Sequence, residues 1–230
     1  MNLPRLLLAL YVAPALVAAQ VQLAGDDACA RPAAEIMAAA ACPGSRAAAP
    51  AAASSPVVAF VPLQDVAPLK RSESGRHVTS PEADRLRNAY PGRIALIDIR
   101  SRAEIAYAGR PDLVDVYVPF REPELPLQWN PATNGLKMQR NPHFADQVRA
   151  ELARLDWPED SVLLLLCRSG EMSAIAADVL QAAGLPQVVT VVDGFDGDLG
   201  PGGRRDVNGW KNSVGRWHLV PVERLAASTR

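Results

Sequence analysis

The sequence predicts an α/β domain with a mostly parallel central sheet and helices on both faces, and two observations predict it. Three short runs, residues 94–99, 162–166 and 188–192, are almost wholly apolar and bounded by turn or charge signals. A strand with one wet face alternates, so runs without alternation point to strands covered on both sides, the situation of a parallel sheet. Segments of helical period lie between these runs, and strands alternating with helices of that length build parallel sheets through crossover connections.

The chain has 230 residues, 49% of them apolar and 21% charged, with a formal net charge of −1. That is enough chain to bury one ordinary core, and the charge balance gives no electrostatic reason to expect nucleic acid or an anionic membrane as a partner. Residues 1–19 read as a secretory signal: Arg5 is basic, residues 6–17 are apolar, and Val17-Ala18-Ala19 precede Gln20 with small side chains. The apolar run is shorter than the roughly 18 residues a spanning helix needs. The expected location is therefore the periplasm or the exterior. Residues 20–56, dominated by Ala, Pro and Ser, read as a linker or arm, and residues 57–230 as the domain.

Within the domain, Ser80 is expected to cap a helix to about Asn88 with Pro81 at its first position. The strand at 94–99 follows. Residues 121–141, with three prolines before Asn134 and a tryptophan, read as an inserted loop near the site. A helix is expected from Asn141 to Leu155, its apolar stripe being Phe144, Val148, Leu152 and Leu155. The second strand, 162–166, leads to a helix over residues 173–183, with a stripe of Ile175, Val179 and Ala183 and a stop at Gly184. After the third strand, residues 194–209 read as a long exposed loop.

Cys167 stands directly after the second buried run and before Arg168-Ser169-Gly170-Glu171-Met172-Ser173 and a helix. Ligands of parallel α/β sheets bind beyond the carboxyl ends of strands. A short loop wrapping into a helix there aims several N–H groups, and the positive end of the helix dipole, at one spot. Such an environment favours the thiolate, the nucleophilic form of cysteine. Gly170 frees the turn from a Cβ. Arg168 has two readings, a contact to an anionic substrate or a solvated side chain.

The segment Leu164-Leu165-Leu166-Cys167-Arg168-Ser169-Gly170-Glu171-Met172-Ser173 resembles the active-site loop of rhodanese-family sulfurtransferases. Leu96-Ile97-Asp98-Ile99-Arg100 with Glu104, Tyr107 and Gly109 is similar to that family's first strand and following helix. Val192-Asp193-Gly194-Phe195 with Gly209-Trp210-Lys211 is similar to its closing segment. The resemblance implies a rhodanese-like fold and a sulfur transfer in which Cys167 takes a sulfane sulfur from a donor such as thiosulfate. The resulting persulfide passes it to cyanide or a thiol. It also implies that the amides from Arg168 to Ser173 cradle the sulfur and the departing anion, and that Asp98 and Arg100 brace the neighbouring loop. Two departures are plain. Met172 stands where many family members carry Arg or Lys, and Arg110-Pro111-Asp112-Leu113-Val114-Asp115 replaces a His-Ile-Pro-Gly-Ala-like turn.

Two other functions compete. One is a carrier that holds persulfide or an anion for a periplasmic protein partner without turnover. The other is a phosphatase of the related fold, which needs a loop one residue longer and an arginine where Ser173 stands. Cys29 and Cys42 form a disulfide with each other or remain unpaired; spacing does not decide between these. No cofactor or metal is expected. His77, His143 and His218 are isolated in sequence and read as surface or capping residues, and the four tryptophans as core or edge packing. Asp193, Asp196 and Asp198 lack the further ligands of a calcium loop and read as solvated.

Overall fold

A computed structural model describes residues 56–220. The signal, most of the arm, and Cys29 and Cys42 lie outside the described residues.

In chain order the elements are β1 (His77–Val78), α1 (Ser80–Ala89), β2 (Ile94–Asp98), α2 (Arg102–Ala108), β3 (Arg110–Pro111) and β4 (Val116–Tyr117). There follow β5 (Arg121–Pro123), β6 (Trp129–Asn130), β7 (Gly135–Leu136), β8 (Met138–Arg140) and α3 (Phe144–Arg154). The last are β9 (Val162–Leu166), α4 (Glu171–Ala182), β10 (Val188–Val191), α5 (Trp210–Ser213) and β11 (Trp217–His218). The central sheet has five strands in the order β1-β10-β9-β2-β4, all parallel.

Period-two alternation divides the apolar runs between two cores. Ala95, Ile97, Leu163, Leu165 and Val188 face α3 and α4, packing with Phe144, Val148, Ala176, Ala177 and Leu180. Ile94, Leu96, Leu164, Leu166, Val189 and Val191 face the other way, onto Ala83 and Leu86 of α1 and Trp210 of α5. Both faces are covered, which is why the strands carry no polar alternation.

Several expectations are corrected in detail. Thr79, not Ser80, caps α1, its hydroxyl accepting from the Glu82 N–H at 3.4 Å. Ser80 is buried and donates from both its N–H and its hydroxyl to Asp193, each at 2.8 Å. Helix α3 begins at Phe144, and Leu155 is exposed. Helix α4 begins at Glu171, and its buried face is Ser173, Ala174, Ala176, Ala177 and Leu180, with Ile175 39% exposed. Small side chains let this helix lie close on the sheet; of its larger apolar residues Leu180 is fully buried, Val179 is partly buried against the core, and Ile175 is not. The segment 194–209 is not uniformly exposed, because Phe195 and Gly209 are buried at either end. Asp193 is buried rather than solvated; it also accepts the Gly209 N–H at 3.1 Å and so ties α1 to the closing segment. Burial pushes the Asp193 carboxyl above its ordinary value, and the hydrogen bonds from Ser80 and Gly209 act against that push.

His77 is fully buried rather than at the surface. Its Nδ1 lies 2.7 Å from Thr190 Oγ1, across the β1–β10 register. Burial lowers its pKa below the usual 6.5, although the charge of Asp178 partly opposes this. The unfolded chain therefore binds a proton near pH 6.5 that the folded chain refuses. Stability falls as pH drops below about 6.5 and is retained above it. Thermal melts between pH 7.5 and 5 are expected to show a shallower loss for His77→Gln than for the wild type; parallel curves contradict this.

Candidate active site

Strand β9 ends at Leu166, and three loop residues separate Cys167 from α4. Gly170 turns the chain at φ +92°, and a Cβ there would sit 1.9 Å from the Val192 carbonyl oxygen. Only glycine satisfies both the dihedral and the close approach. The turn aims two backbone donors at the sulfur: the Gly170 N–H reaches Cys167 Sγ at 3.1 Å and the Ser173 N–H at 3.3 Å. The first turn of the twelve-residue α4 presents its positive end to the same point.

The closing segment clasps this loop. Phe195 donates its N–H to the Cys167 carbonyl at 2.8 Å and Asp196 donates to the Arg168 carbonyl at 2.9 Å. Beneath them lies a buried ion pair. Arg100 grips Asp98 with Nε at 2.9 Å and Nη2 at 2.5 Å, both side chains 1% exposed, and the guanidinium stacks 4.0 Å from the Phe195 ring centroid. Burial works against the Arg100 charge, but Asp98 more than reverses this and leaves the pKa raised. The pair thus touches Phe195, the residue whose N–H holds the Cys167 carbonyl. Removing one partner of such a pair costs roughly 3–5 kcal/mol, because the other is left buried and charged.

Cys167 is 3% exposed and lies on the wall of a cavity of about 540 Å³. Arg168, Ser169, Glu171, Met172 and Arg100 share that wall, whereas Gly170, Ser173 and Asp98 stand behind it. Arg168 takes an intermediate course, its Nε 3.5 Å from Asp196 Oδ2 with the side chain half exposed. Met172 packs on the α3–α4 core, so its position contributes no charge.

Much of the remaining wall comes from residues 121–141, which form a two-tier antiparallel hairpin rather than a loop. Strands β5 and β8 pair at its base, Arg121 opposite Arg140 and Pro123 opposite Met138, and β6 and β7 pair at its tip, Trp129 opposite Leu136. The base is fixed at two points. Phe120 packs edge-on against Phe144 at 5.0 Å with the Arg140 guanidinium 5.1 Å from its ring centroid. Glu122 accepts the Arg102 N–H at 3.2 Å, joining β5 to the start of α2; burial raises the Glu122 carboxyl and this bond tempers the shift. Arg121, Trp129, Leu136 and Met138 all line the cavity. Trp129, expected as packing, is 59% exposed.

The sequence places the segment near the site but gives none of its residues an individual role. The Asn134-Gly135 dipeptide is a hairpin signal that could have found them, and Asn134 does occupy the left-handed region at φ +46°. Of the other polar candidates, His143 is exposed at the start of α3, and His218 pairs with Asp112 at 2.8 Å, far in character from a ligand set. No group of three or more metal-ligating side chains occurs among the described residues.

Fold and site together define a five-stranded parallel α/β domain whose cysteine is held by backbone donors at a strand end. No family model matches the chain, and no curated protein matches it. Among solved structures it is similar to Rv0390 from M. tuberculosis, with 28% identity over 63% of this chain and 97% of that one, at a TM-score of 0.47. It is also similar to the polysulfide-sulfur transferase homodimer from Wolinella succinogenes, with 18% identity over 54% of this chain and 70% of that one, at a TM-score of 0.34.

Proposed function

We propose that this protein is a sulfurtransferase that carries sulfane sulfur on Cys167. The observation that carries the proposal is the placement of Sγ on a cavity wall with the Gly170 and Ser173 N–H groups directed at it. Those donors stabilise negative charge on the attacking thiolate and hold the same sulfur when it leaves in the second step.

In the first step the Cys167 thiolate attacks the outer sulfur of thiosulfate. The bond between that sulfur and the sulfonate sulfur breaks, and sulfite departs with the electron pair. In the second step a nucleophile, cyanide or a thiolate, attacks the outer sulfur of the persulfide. The Sγ–S bond breaks and its electrons return to Cys167. No external oxidant or reductant is required. With Met172 uncharged, Arg168 and Arg121 are two of the cations on the wall, and they would meet the donor's sulfonate.

Two displacements through one covalent intermediate require ping-pong kinetics. With thiosulfate and cyanide varied together, double-reciprocal plots of thiocyanate formation are expected to be parallel. Intersecting lines contradict a free persulfide enzyme. Loading without repeated turnover marks a carrier in place of an enzyme.

A further inference from the structure

If Cys167 carries the sulfur, as proposed above, the hairpin over the cavity decides what takes it. We infer that the β5–β8 hairpin is an acceptor-binding wall that selects an organic thiol bearing a carboxylate over a small inorganic nucleophile. Arg121 is the contact to the carboxylate, and Trp129 and Leu136 hold the organic portion.

The cavity of about 540 Å³ is in the size range of sites for small organic molecules, and cyanide or thiosulfate would leave most of it to water. Its chemistry is divided in the manner of such sites. Trp129 and Leu136 are directly opposed across the hairpin tip, line the cavity together, and stand 59% and 37% exposed. Cross-strand partners share a face, so the two side chains form one apolar surface that the fold itself does not cover. Arg121 sits half-buried on the same wall and makes no ion pair among the described residues. Of the four arginines that line the cavity, Arg100 is paired with Asp98 and Arg168 lies 3.5 Å from Asp196, which leaves Arg121 as the cation on the hairpin itself. Arg121 therefore offers a carboxylate a cation without an ion-pair partner among the described residues, beside the apolar pair at the tip. The ties of the hairpin base to Phe120 and to α2 hold the strand of Arg121 in place in advance, so less conformational freedom is lost there on binding.

The bound acceptor thiolate attacks the outer sulfur of the Cys167 persulfide. A new S–S bond forms on the acceptor, the Sγ–S bond breaks, and the acceptor leaves as its own persulfide.

The full-length chain is loaded with thiosulfate or with polysulfide and freed of excess donor. Single-turnover discharge is then followed with glutathione, which carries two carboxylates, with neutral 2-mercaptoethanol, and with cyanide. Arg121→Gln and Trp129→Ala are each expected to lower the ratio of the glutathione rate to the cyanide rate about tenfold, equivalent to about 1.4 kcal/mol. Arg121→Lys and Trp129→Phe are expected to recover part of it. In Arg121→Gln the ratio for 2-mercaptoethanol should move much less than that for glutathione. An unchanged glutathione ratio in both variants, or equal losses toward the two thiols in Arg121→Gln, overturns the inference. A wild-type chain that takes up sulfur from neither donor fails one step earlier and overturns the sulfur-transfer reading itself.

Discussion

Replacing Cys167 by serine is expected to reduce sulfur transfer to the uncatalysed level while leaving the fold in place. A hydroxyl cannot accept a sulfane sulfur as a stable covalent adduct, so both half-reactions lose their intermediate. The fold should tolerate the change, because the serine oxygen can accept the same two N–H groups that now reach Sγ from Gly170 and Ser173. A hydrogen bond contributes about 1 kcal/mol net, so exchanging sulfur for oxygen as acceptor should alter stability by about that or less. Thiocyanate formation and a thermal melt, measured on one preparation, separate the two effects. Full activity in Cys167→Ser removes the cysteine from the mechanism.

The second large effect is expected at Gly170, where stability and activity should fall together. An alanine would hold a strained φ near +92° and press its Cβ against the Val192 carbonyl. A non-glycine residue in such a region costs on the order of 1–3 kcal/mol before any clash is counted. The clash is with backbone, so the end of β10 or the loop itself must move. For a domain of this size a loss of about 3 kcal/mol lowers the melting temperature by roughly 6–12 °C. The same movement withdraws the 170 N–H from Sγ, and persulfide formation should slow even at temperatures where the variant is folded. A Gly170→Ala protein with wild-type melting and wild-type loading contradicts the geometry described for this loop.

The central strands were legible because burial on both faces leaves an unbroken apolar run, as in Leu163 to Leu166. The cysteine loop was legible because its geometry is local: cysteine, glycine and helix start lie within seven consecutive residues. What escaped was set by partners distant in sequence. Ser80 and His77 meet Asp193 and Thr190 across 113 residues, and neither pairing leaves a periodic trace. The inner face of α4 departs from the expected stripe because, Leu180 apart, the fully buried side chains are alanine and serine, while Ile175 points outward and Val179 is only partly buried. The hairpin was read as a loop because its strands are only two or three residues long and interrupted by proline, too short for alternation to register. Its share of the cavity wall with Cys167 depends on contacts distant in sequence, such as Glu122 to Arg102 and Phe120 to Phe144.

The most direct measurement of the central claim is the intact mass of the full-length protein after incubation with thiosulfate, followed by peptide mapping and then addition of cyanide. The account predicts a gain of one sulfur atom located on Cys167, lost on adding cyanide as thiocyanate appears. No gain with Cys167 still open to alkylation, or a gain on another residue, would contradict it.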